Sequence, residues 1–298
     1  MNDSDTARDD ATDAFVAHRS LLFTVAYEML GSAADAEDVL QETWLRWSQA
    51  DHDGVRDPRA YLVRITTRLA LNQVRTLSRR RETYVGPWLP EPLLTTPDIA
   101  GDVELAESVS TAMLLVLETL GPVERAVFVL REVFALPFGE IAQILDRTPE
   151  AVRQIAVRAR GHVHARRPRQ QPSAREQRAV LERFHAALAG ADLQELMDAL
   201  APDVVLLTDG GGVRKAALHP IRGADKVIPF LLGVMPQNAD YRVDALPVNG
   251  GIGMCLVQGD TLDTVATLRI TDGRISELYL VRNPHKLHRL DEAVALTR

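Results

Sequence analysis

Along the first half of the chain, apolar residues recur at helical spacing. From Asp13 onward, Phe15, Leu22, Val25, Ala26 and Met29 fall three, four and seven apart, which predicts a helix. Gly31-Ser32 interrupts it. Ser32 suits an N-cap, and Asp35 three positions later is an acidic variant of the capping box. The next helix, to about Ser48, sets Ala36, Val39, Leu40, Thr43 and Trp47 on one side. Residues 49–58 read as a polar loop around Gly54, and a long helix follows from about Arg59 to Arg81. Residues 86–97, GPWLPEPLLTTP, hold four prolines, too many for a helix, and lack the alternation of a strand. They read as a linker. Trp88, Leu89, Leu93 and Leu94 are costly to leave in water, so the linker is expected to dock on a surface. Residues 102–164 are helical again, and Pro168 to Pro172 marks a boundary.

After Ser173 the pattern changes. Helices at about 173–190 and 192–200 precede short alternating runs: VVLLTD, YRVDALPV, GIGMCLVQ, TVATLRI and ISELYLV. Turns such as Asn249-Gly250-Gly251 and Asp272-Gly273 separate them. A helix at about 223–234 interrupts the series. These runs predict an α+β domain with a mostly antiparallel, curved sheet, placed after all-α segments.

The 298 residues are 46% hydrophobic and 25% charged, which suits two globular domains or three small ones. Aromatics are only 5%, so Leu, Val, Ile and Ala must build the cores. No apolar run approaches the ~18 residues of a membrane span. The first thirteen residues hold five Asp and one Arg, the wrong charge for a signal peptide. A single cysteine, Cys255, excludes an internal disulfide framework. The expectation is a soluble cytoplasmic protein with no membrane contact and a mobile acidic stretch over 1–12.

The net charge is −7, yet the arginines cluster. Residues 46–81 carry nine Arg against three Asp, and 147–178 carry nine Arg against two Glu. Two basic blocks separated by an acidic stretch suit two contact points on one polyanion, or else two solvated helix faces. Within the second block, Phe138–Leu145 reads as a short helix and Asp146-Arg147-Thr148 as a tight turn. Pro149 then sits at the first turn of a new helix, with Thr148 as its N-cap. This is helix-turn-helix spacing. Ala151, Val152, Ile155, Ala156 and Ala159 share one face of the last helix. Glu150, Arg153, Gln154 and Val157 lie opposite, flanked by Arg158 and Arg160, where long polar side chains can enter a major groove. In the first block, Arg64, Arg68, Arg75 and Arg79 form one stripe. Asp35, Glu37, Asp38 and Glu42 gather four carboxylates on a helix that also exposes Trp44 or Trp47, a docking surface for a basic partner or an ordinary acidic helix start.

Asp35-Ala-Glu-Asp-Val-Leu-Gln-Glu-Thr-Trp-Leu-Arg-Trp47 resembles region 2.2 of the extracytoplasmic-function sigma factors of the sigma-70 family. Asp57 to Arg75 resembles their regions 2.3–2.4, and residues 120–164 resemble their region 4. The resemblance covers 13–165. Trp88-Leu-Pro-Glu-Pro92, Asp209-Gly-Gly-Gly212 and Asn283-Pro-His-Lys-Leu287 further resemble a subgroup with a SnoaL-like (NTF2-like) C-terminal extension, a cone-shaped α+β barrel. Two positions depart from it: His285 replaces a usual acidic residue, and Val213 replaces the lysine after the glycines.

The resemblance implies a sigma subunit that directs RNA polymerase core to promoters and opens them without covalent chemistry of its own. Asp35, Glu37, Asp38, Val39, Leu40, Gln41, Glu42 and Trp44 would grip the coiled coil of the largest polymerase subunit, with region 4 on the flap. Arg59, Arg64, Arg68, Arg75, Arg79 and Arg80 would meet the −10 side. Within Pro137 to Ala156 and on to Arg158, the residues Arg147, Thr148, Glu150, Arg153, Gln154 and Arg158 would read the −35 element. Trp88, Pro90, Glu91, Asp209, Gly210, Gly211, Gly212, Asn283, Pro284 and Lys286 would make regulatory contacts between the linker and the extension, in place of a separate anti-sigma factor. The expected domains are region 2 over 13–85, the linker over 86–101, region 4 over 102–167 and the SnoaL-like domain over 168–298.

The extension also invites an enzyme reading, a ligand-controlled DNA-binding protein carrying a cyclase or isomerase. Asp209, His219, Asp263 and His285 are its acid/base candidates, none with a partner visible in the sequence. A simple repressor would not need the acidic surface. His162/His164 and His285/His288 are too sparse for a metal site, and Asp209–Gly212 lacks the Gly-Lys-Ser/Thr ending of a phosphate loop. The expectation is no catalysis, no metal and no cofactor; any small-molecule ligand is unspecified.

Overall fold

The computed structural model describes residues 3–52, 54–96, 102–166, 172–234, 241–290 and 293–298. By its internal packing the chain forms two units. The first comprises Met1–Glu82, Val116–Arg167 and Ala295–Arg298; the second comprises Thr83–Leu115 and Pro168–Val294.

The first unit is all-α. Helix α1 spans Asp3–Leu30, α2 Ala33–Ser48 and α3 Pro58–Glu82. They pack through Leu22, Val25, Ala26 and Met29 from α1 and Ala36 and Leu40 from α2, positions that the helical spacing marks, and through Leu62 and Ala70 from α3. Helix α1 begins earlier than the apolar pattern suggests. Ala11 is buried, and its carbonyl accepts the Trp47 indole N–H at 2.7 Å. Helix α6 (Pro122–Phe128) runs on as a π-helical turn over Val129–Val133, where the Phe134 N–H reaches the Val129 carbonyl at 3.3 Å. Helices α7 (Phe138–Leu145) and α8 (Pro149–His164) follow. Helix α5 (Thr111–Glu118) begins in the second unit and ends in the first.

The second unit is α+β. Helices α9 (Ala174–Ala189) and α10 (Leu193–Ala199) lead into β1 (Leu200–Asp209) and β2 (Ile221–Arg222); α11 (Ala224–Val234) comes next. Strands β3 (Tyr241–Val248), β4 (Gly251–Gln258), β5 (Thr261–Thr271) and β6 (Arg274–Val281) precede the one-turn helix α12 (Pro284–Leu287). The sheet order is β2-β1-β6-β5-β4-β3, antiparallel except for the β1–β6 pair. Helices α9 to α11 cover one face with Phe184, Leu196 and Ile228, which meet Leu206, Met254 and Leu278. The other face buries Leu89 of the linker with Val248, Val265, Tyr279 and Val281, flanked by Ala112 and Leu115. The linker and α4 (Val103–Ser108) thus belong to the sheet unit, and the apolar linker residues have their cover.

Candidate functional site

On α2 the Ser32 hydroxyl accepts the Asp35 N–H at 3.2 Å, the cap that the sequence predicts. Asp35 accepts from Gln73 Nε2 at 2.8 Å, Glu37 is bridged by Arg19 at 2.8 Å, and Glu42 pairs with Arg46 at 2.8 Å. Asp38 and Gln41 are exposed, and Trp44 is half-buried with its ring 5.2 Å from Phe15. Val39 and Leu40 depart from the expected contact surface. They are 5% and 2% exposed and pack in the helical core, so they support this surface from below and cannot be part of it. Trp47 is buried as well, which leaves Trp44 as the tryptophan that reaches the surface.

On α3, Arg59 and Arg64 are partly buried and Arg75 is exposed; the Arg64 guanidinium lies 5.0 Å from the Tyr61 ring centre. Arg68 donates to the Ile144 carbonyl at 2.8 Å and to Asp146 Oδ1 at 2.7 Å. The arginine stripe expected to meet the −10 side is thereby tied to the turn between α7 and α8. The Arg79 and Arg80 side chains lie outside the described residues. Arg81 donates to the Leu30 carbonyl at 2.7 Å and pairs with Glu118, which also pairs with Arg125 at 2.8 Å. Arg125, 3% exposed, donates further to the carbonyls of Leu117 and Met29. Burial lowers its pKa to about 10, and burial together with the Arg125 charge lowers that of Arg81 to about 9, so both remain cations at neutral pH. Arg125 sits in an ordinary amphipathic pattern, and nothing local in the sequence marks its role.

Asp146 ends α7 in the left-handed region at φ 52°. Thr148 Oγ1 accepts the Ala151 N–H at 3.2 Å, and Pro149 occupies the first turn, where its missing N–H costs nothing. Val152, Ile155, Ala156 and Ala159 anchor α8. Arg147, Thr148, Glu150, Arg153, Gln154 and Arg158 are all exposed, and Arg153 pairs with Glu150 at 3.2 Å. The turn and the polar face of the helix form one continuous surface suited to a major groove.

In the second unit β1 ends on Asp209, which is completely buried. Its carboxylate accepts the Tyr84 hydroxyl at 2.6 Å, the Leu89 N–H at 2.9 Å, the Gly211 N–H at 3.0 Å and Lys286 Nζ at 2.7 Å. Lys286 also donates to the Leu89 carbonyl and lies 4.2 Å from the Trp88 ring centre. Asn283 Nδ2 donates to the Tyr84 hydroxyl at 2.8 Å, and Asn283 Oδ1 caps α12 by accepting the His285 N–H at 3.0 Å. A Cβ at Gly211, where φ is +61°, would stand 2.3 Å from Asn283 Nδ2, and one at Gly210 would stand 2.2 Å from the Arg214 carbonyl oxygen. Glycine is therefore required for the turn to close on α12. Gly212 and Pro284 are exposed, while Pro90 and Glu91 are buried. Burial and the bond to Asp209 hold the Tyr84 phenol well above its ordinary pKa. Two of the motifs, Asp209–Gly212 and Asn283–Leu287, thus form one clamp that holds the third, Trp88–Pro92, in the linker.

A second anchor holds the linker further on. Asn249 Oδ1 accepts the Leu93 N–H at 3.0 Å, its N–H donates to the Leu93 carbonyl at 2.9 Å, and its Nδ2 donates to the Val109 carbonyl at 2.9 Å. The sequence marks Asn249 only as a turn residue, and Tyr84 carries no signal of its own. The enzyme candidates are scattered. His219 and His285 are exposed, Asp263 is held by Arg282 at 2.9 Å, and Asp209 is taken up by the clamp. No group of three or more His, Cys, Asp or Glu among the described residues could hold a metal. No helix of the described residues is long and apolar enough to cross a membrane.

Residues 14–80 match the family Sigma-70 region 2, and residues 110–163 match Sigma-70, region 4. Over 289 residues the chain is 37% identical to the ECF RNA polymerase sigma factor SigJ of Mycobacterium tuberculosis, covering 91% of each. The chain belongs to the ECF RNA polymerase sigma factors. A second similar protein, the probable ECF RNA polymerase sigma factor SigI of the same organism, is 33% identical across 94% of this chain and 95% of its own length. The crystal structure of Mycobacterium tuberculosis SigJ superposes with a TM-score of 0.75 at 35% identity, over 94% of this chain and 99% of that one. As an ECF sigma factor the chain directs RNA polymerase to promoters for transcription initiation, through the helical bundle of α1 to α3 and the helix-turn-helix of α7 and α8.

Proposed function

We propose that this sigma factor carries its own regulator: the α+β domain controls promoter engagement by gripping the linker, without catalysis and without a separate anti-sigma factor. The carrying observation is that Asp209 and Lys286 hold both the N–H and the C=O of Leu89. They bind backbone in a defined path, which fixes the linker more tightly than side-chain packing alone. Both promoter elements must be engaged at once, so the freedom of a linker between two DNA-binding modules sets activity directly. The tie from Arg68 to the α7–α8 turn supports a closed state, since promoter binding on the −10 side needs that guanidinium. The boundaries we assign are region 2 over 13–85, the linker over 86–101, region 4 over 102–167 and the regulatory domain over 168–298, which takes as its ligand the linker together with α4, the part of 102–167 that packs in the sheet unit. Run-off transcription with polymerase core tests this. Chains ending at Pro172 and at Asn283 are both expected to differ at least several-fold from the full chain, and indifference to both truncations would refute the reading.

For polymerase binding we assign Asp35, Glu37, Asp38, Gln41, Glu42 and Trp44. Glu37→Arg with Asp38→Arg is expected to weaken core binding about tenfold or more while leaving the fold intact, because exposed charges govern partner choice. Undiminished co-purification with core would remove the assignment. For the −35 element, Arg153→Ala and Gln154→Ala are each expected to cost about 1–3 kcal/mol of base discrimination. The check is the ranking of single-base −35 variants, which these substitutions should flatten. Arg59, Arg64 and Arg75 are assigned to phosphate contacts, whose loss lowers the salt dependence of binding rather than its specificity.

A further inference from the structure

The ladder between β4 and β5 ends at the pair Met254–Ala266. Beyond that pair, Gly251 to Gly253 still bond β3, and Thr267 to Arg269 still bond β6. The two strands therefore separate and leave a wedge inside the sheet. In a ladder, alternate residues direct their N–H and C=O toward the neighbouring strand. Both walls of the wedge thus offer backbone donors and acceptors.

A cavity of about 760 Å³ opens there, the size of a small-molecule site. The end of the linker closes it through Thr95, the α4–α5 segment through Ala106, Ser110 and Thr111, and the start of α9 through Gln177. Apolar surface comes from Val248, Ile252, Leu268 and Ile270. Hydroxyls converge from two strands: Thr267 Oγ1 donates to Thr111 Oγ1 at 3.0 Å, and Tyr279, 2% exposed, donates to Glu277. The charged groups at the cavity differ: Arg269 is paired, whereas Glu176 and Arg178, of opposite sign, are both exposed to solvent. Arg269 pairs with Glu277 at 3.2 Å, and Glu176 accepts the Ser173 N–H at 2.8 Å. Burial and the neighbouring Glu277 hold the Tyr279 phenol well above its ordinary pKa, so it stays neutral, its proton given to Glu277 and its oxygen left to accept from a ligand.

We propose that this wedge binds a neutral, amphipathic small molecule, an apolar frame bearing hydroxyl or carbonyl groups. At the Arg269–Glu277 pair an anion would have to displace Glu277, and a cation would have to displace Arg269. A neutral ligand leaves that pair intact and uses the hydroxyls and the open strand edges. One wall is linker and α5, so occupancy would also fasten the linker more firmly; this second consequence rests on the regulatory reading above, whereas binding itself does not.

The test uses the full chain with 2-naphthol as the neutral probe and 2-naphthoate as its anionic counterpart, followed by titration calorimetry and ligand-observed NMR. We expect 2-naphthol to bind one-to-one with a Kd near or below about 1 mM, and 2-naphthoate at least about tenfold more weakly. Ser110→Trp fills the cavity and should weaken 2-naphthol more than tenfold. Tyr279→Phe, which keeps the ring and the packing, should weaken it about three- to tenfold through one lost hydrogen bond. Amide exchange over residues 93–112 should slow on binding. The site is refuted if 2-naphthol does not bind, if naphthoate binds as well, or if a folded Ser110→Trp binds as the parent does. Should Ser110→Trp fail to fold, unchanged binding in Tyr279→Phe refutes it instead. If the probe binds as expected while exchange over 93–112 is unmoved, the coupling to the linker falls and the site stands.

Discussion

Asp209→Ala is expected to destabilise the sheet unit by about 3–5 kcal/mol, because it removes one partner of a buried ion pair and leaves the other charge in place. Lys286 would lose its carboxylate while keeping the Leu89 carbonyl and two aromatic rings, and the Tyr84 hydroxyl and Leu89 N–H would lose their acceptor. For a unit of this size the unfolding transition should fall by roughly 10 °C, and residues 83–95 should become open to proteases. Promoter-dependent transcription should change with it. A double variant separates stability from control. Asp209→Leu with Lys286→Met replaces both charges by apolar groups, a change often neutral or stabilising by about 1–4 kcal/mol relative to the buried pair. It should recover most of the lost stability but not the grip on the Leu89 backbone, so transcription should stay altered. Unchanged thermal stability and protease resistance in Asp209→Ala would show that the carboxylate does not hold the linker.

Arg125→Met should have an effect of similar size on the helical unit, about 3–5 kcal/mol, again by breaking a buried charge network on one side. The methionine would fill much of the volume but leave the carbonyls of Leu117 and Met29 without this donor and Glu118 with Arg81 as its remaining cation. Since Met29 lies in the segment matching region 2 and Leu117 in that matching region 4, the loss would loosen one from the other. Arg68→Met makes the contrast. Its pair with Asp146 is exposed, with side chains 44% and 78% accessible, and such pairs are worth about 0–1 kcal/mol. Thermal unfolding of the two variants decides the matter: equal shifts would mean that burial of the guanidinium does not govern the packing.

Most elements were legible because they keep one period over many residues. The helix-turn-helix was legible down to its Thr148 cap and Pro149, since both are dictated by local backbone chemistry. The strand YRVDALPV and its partner GIGMCLVQ appear with the expected bounds, joined at an Asn-Gly turn. Features set by distant partners were not legible. Strand β1 reaches back to Leu200 because that residue pairs with Ile275, and the two-residue β2 exists only because β1 lies beside it. The helical pattern over residues 102–164 gives no sign that α6 widens to a π-turn after Phe128. Val39 and Leu40 sit within a motif whose resemblance suggests contact, yet their apolar spacing, the same spacing that defines α2, places them in the core. The clamp was visible as three motifs, with Asp209 and Lys286 among the expected linker contacts, but Tyr84 was not, because it meets Asp209 across 125 positions of chain.

That separation has a consequence in time. Lys286 lies 197 positions after Leu89. A ribosome working at about 5–20 residues per second needs about 10–40 s to cover that distance. By the time Lys286 is joined to the nascent chain, both promoter-contacting modules have long since left the exit tunnel, the second ending near Arg158. On the regulatory reading proposed above, each newly made molecule would live first as an ungoverned sigma factor and only afterwards as a governed one. Ribosome pausing between Asp209 and Lys286 would then lengthen the ungoverned interval and make the rate of protein synthesis itself an input to promoter choice.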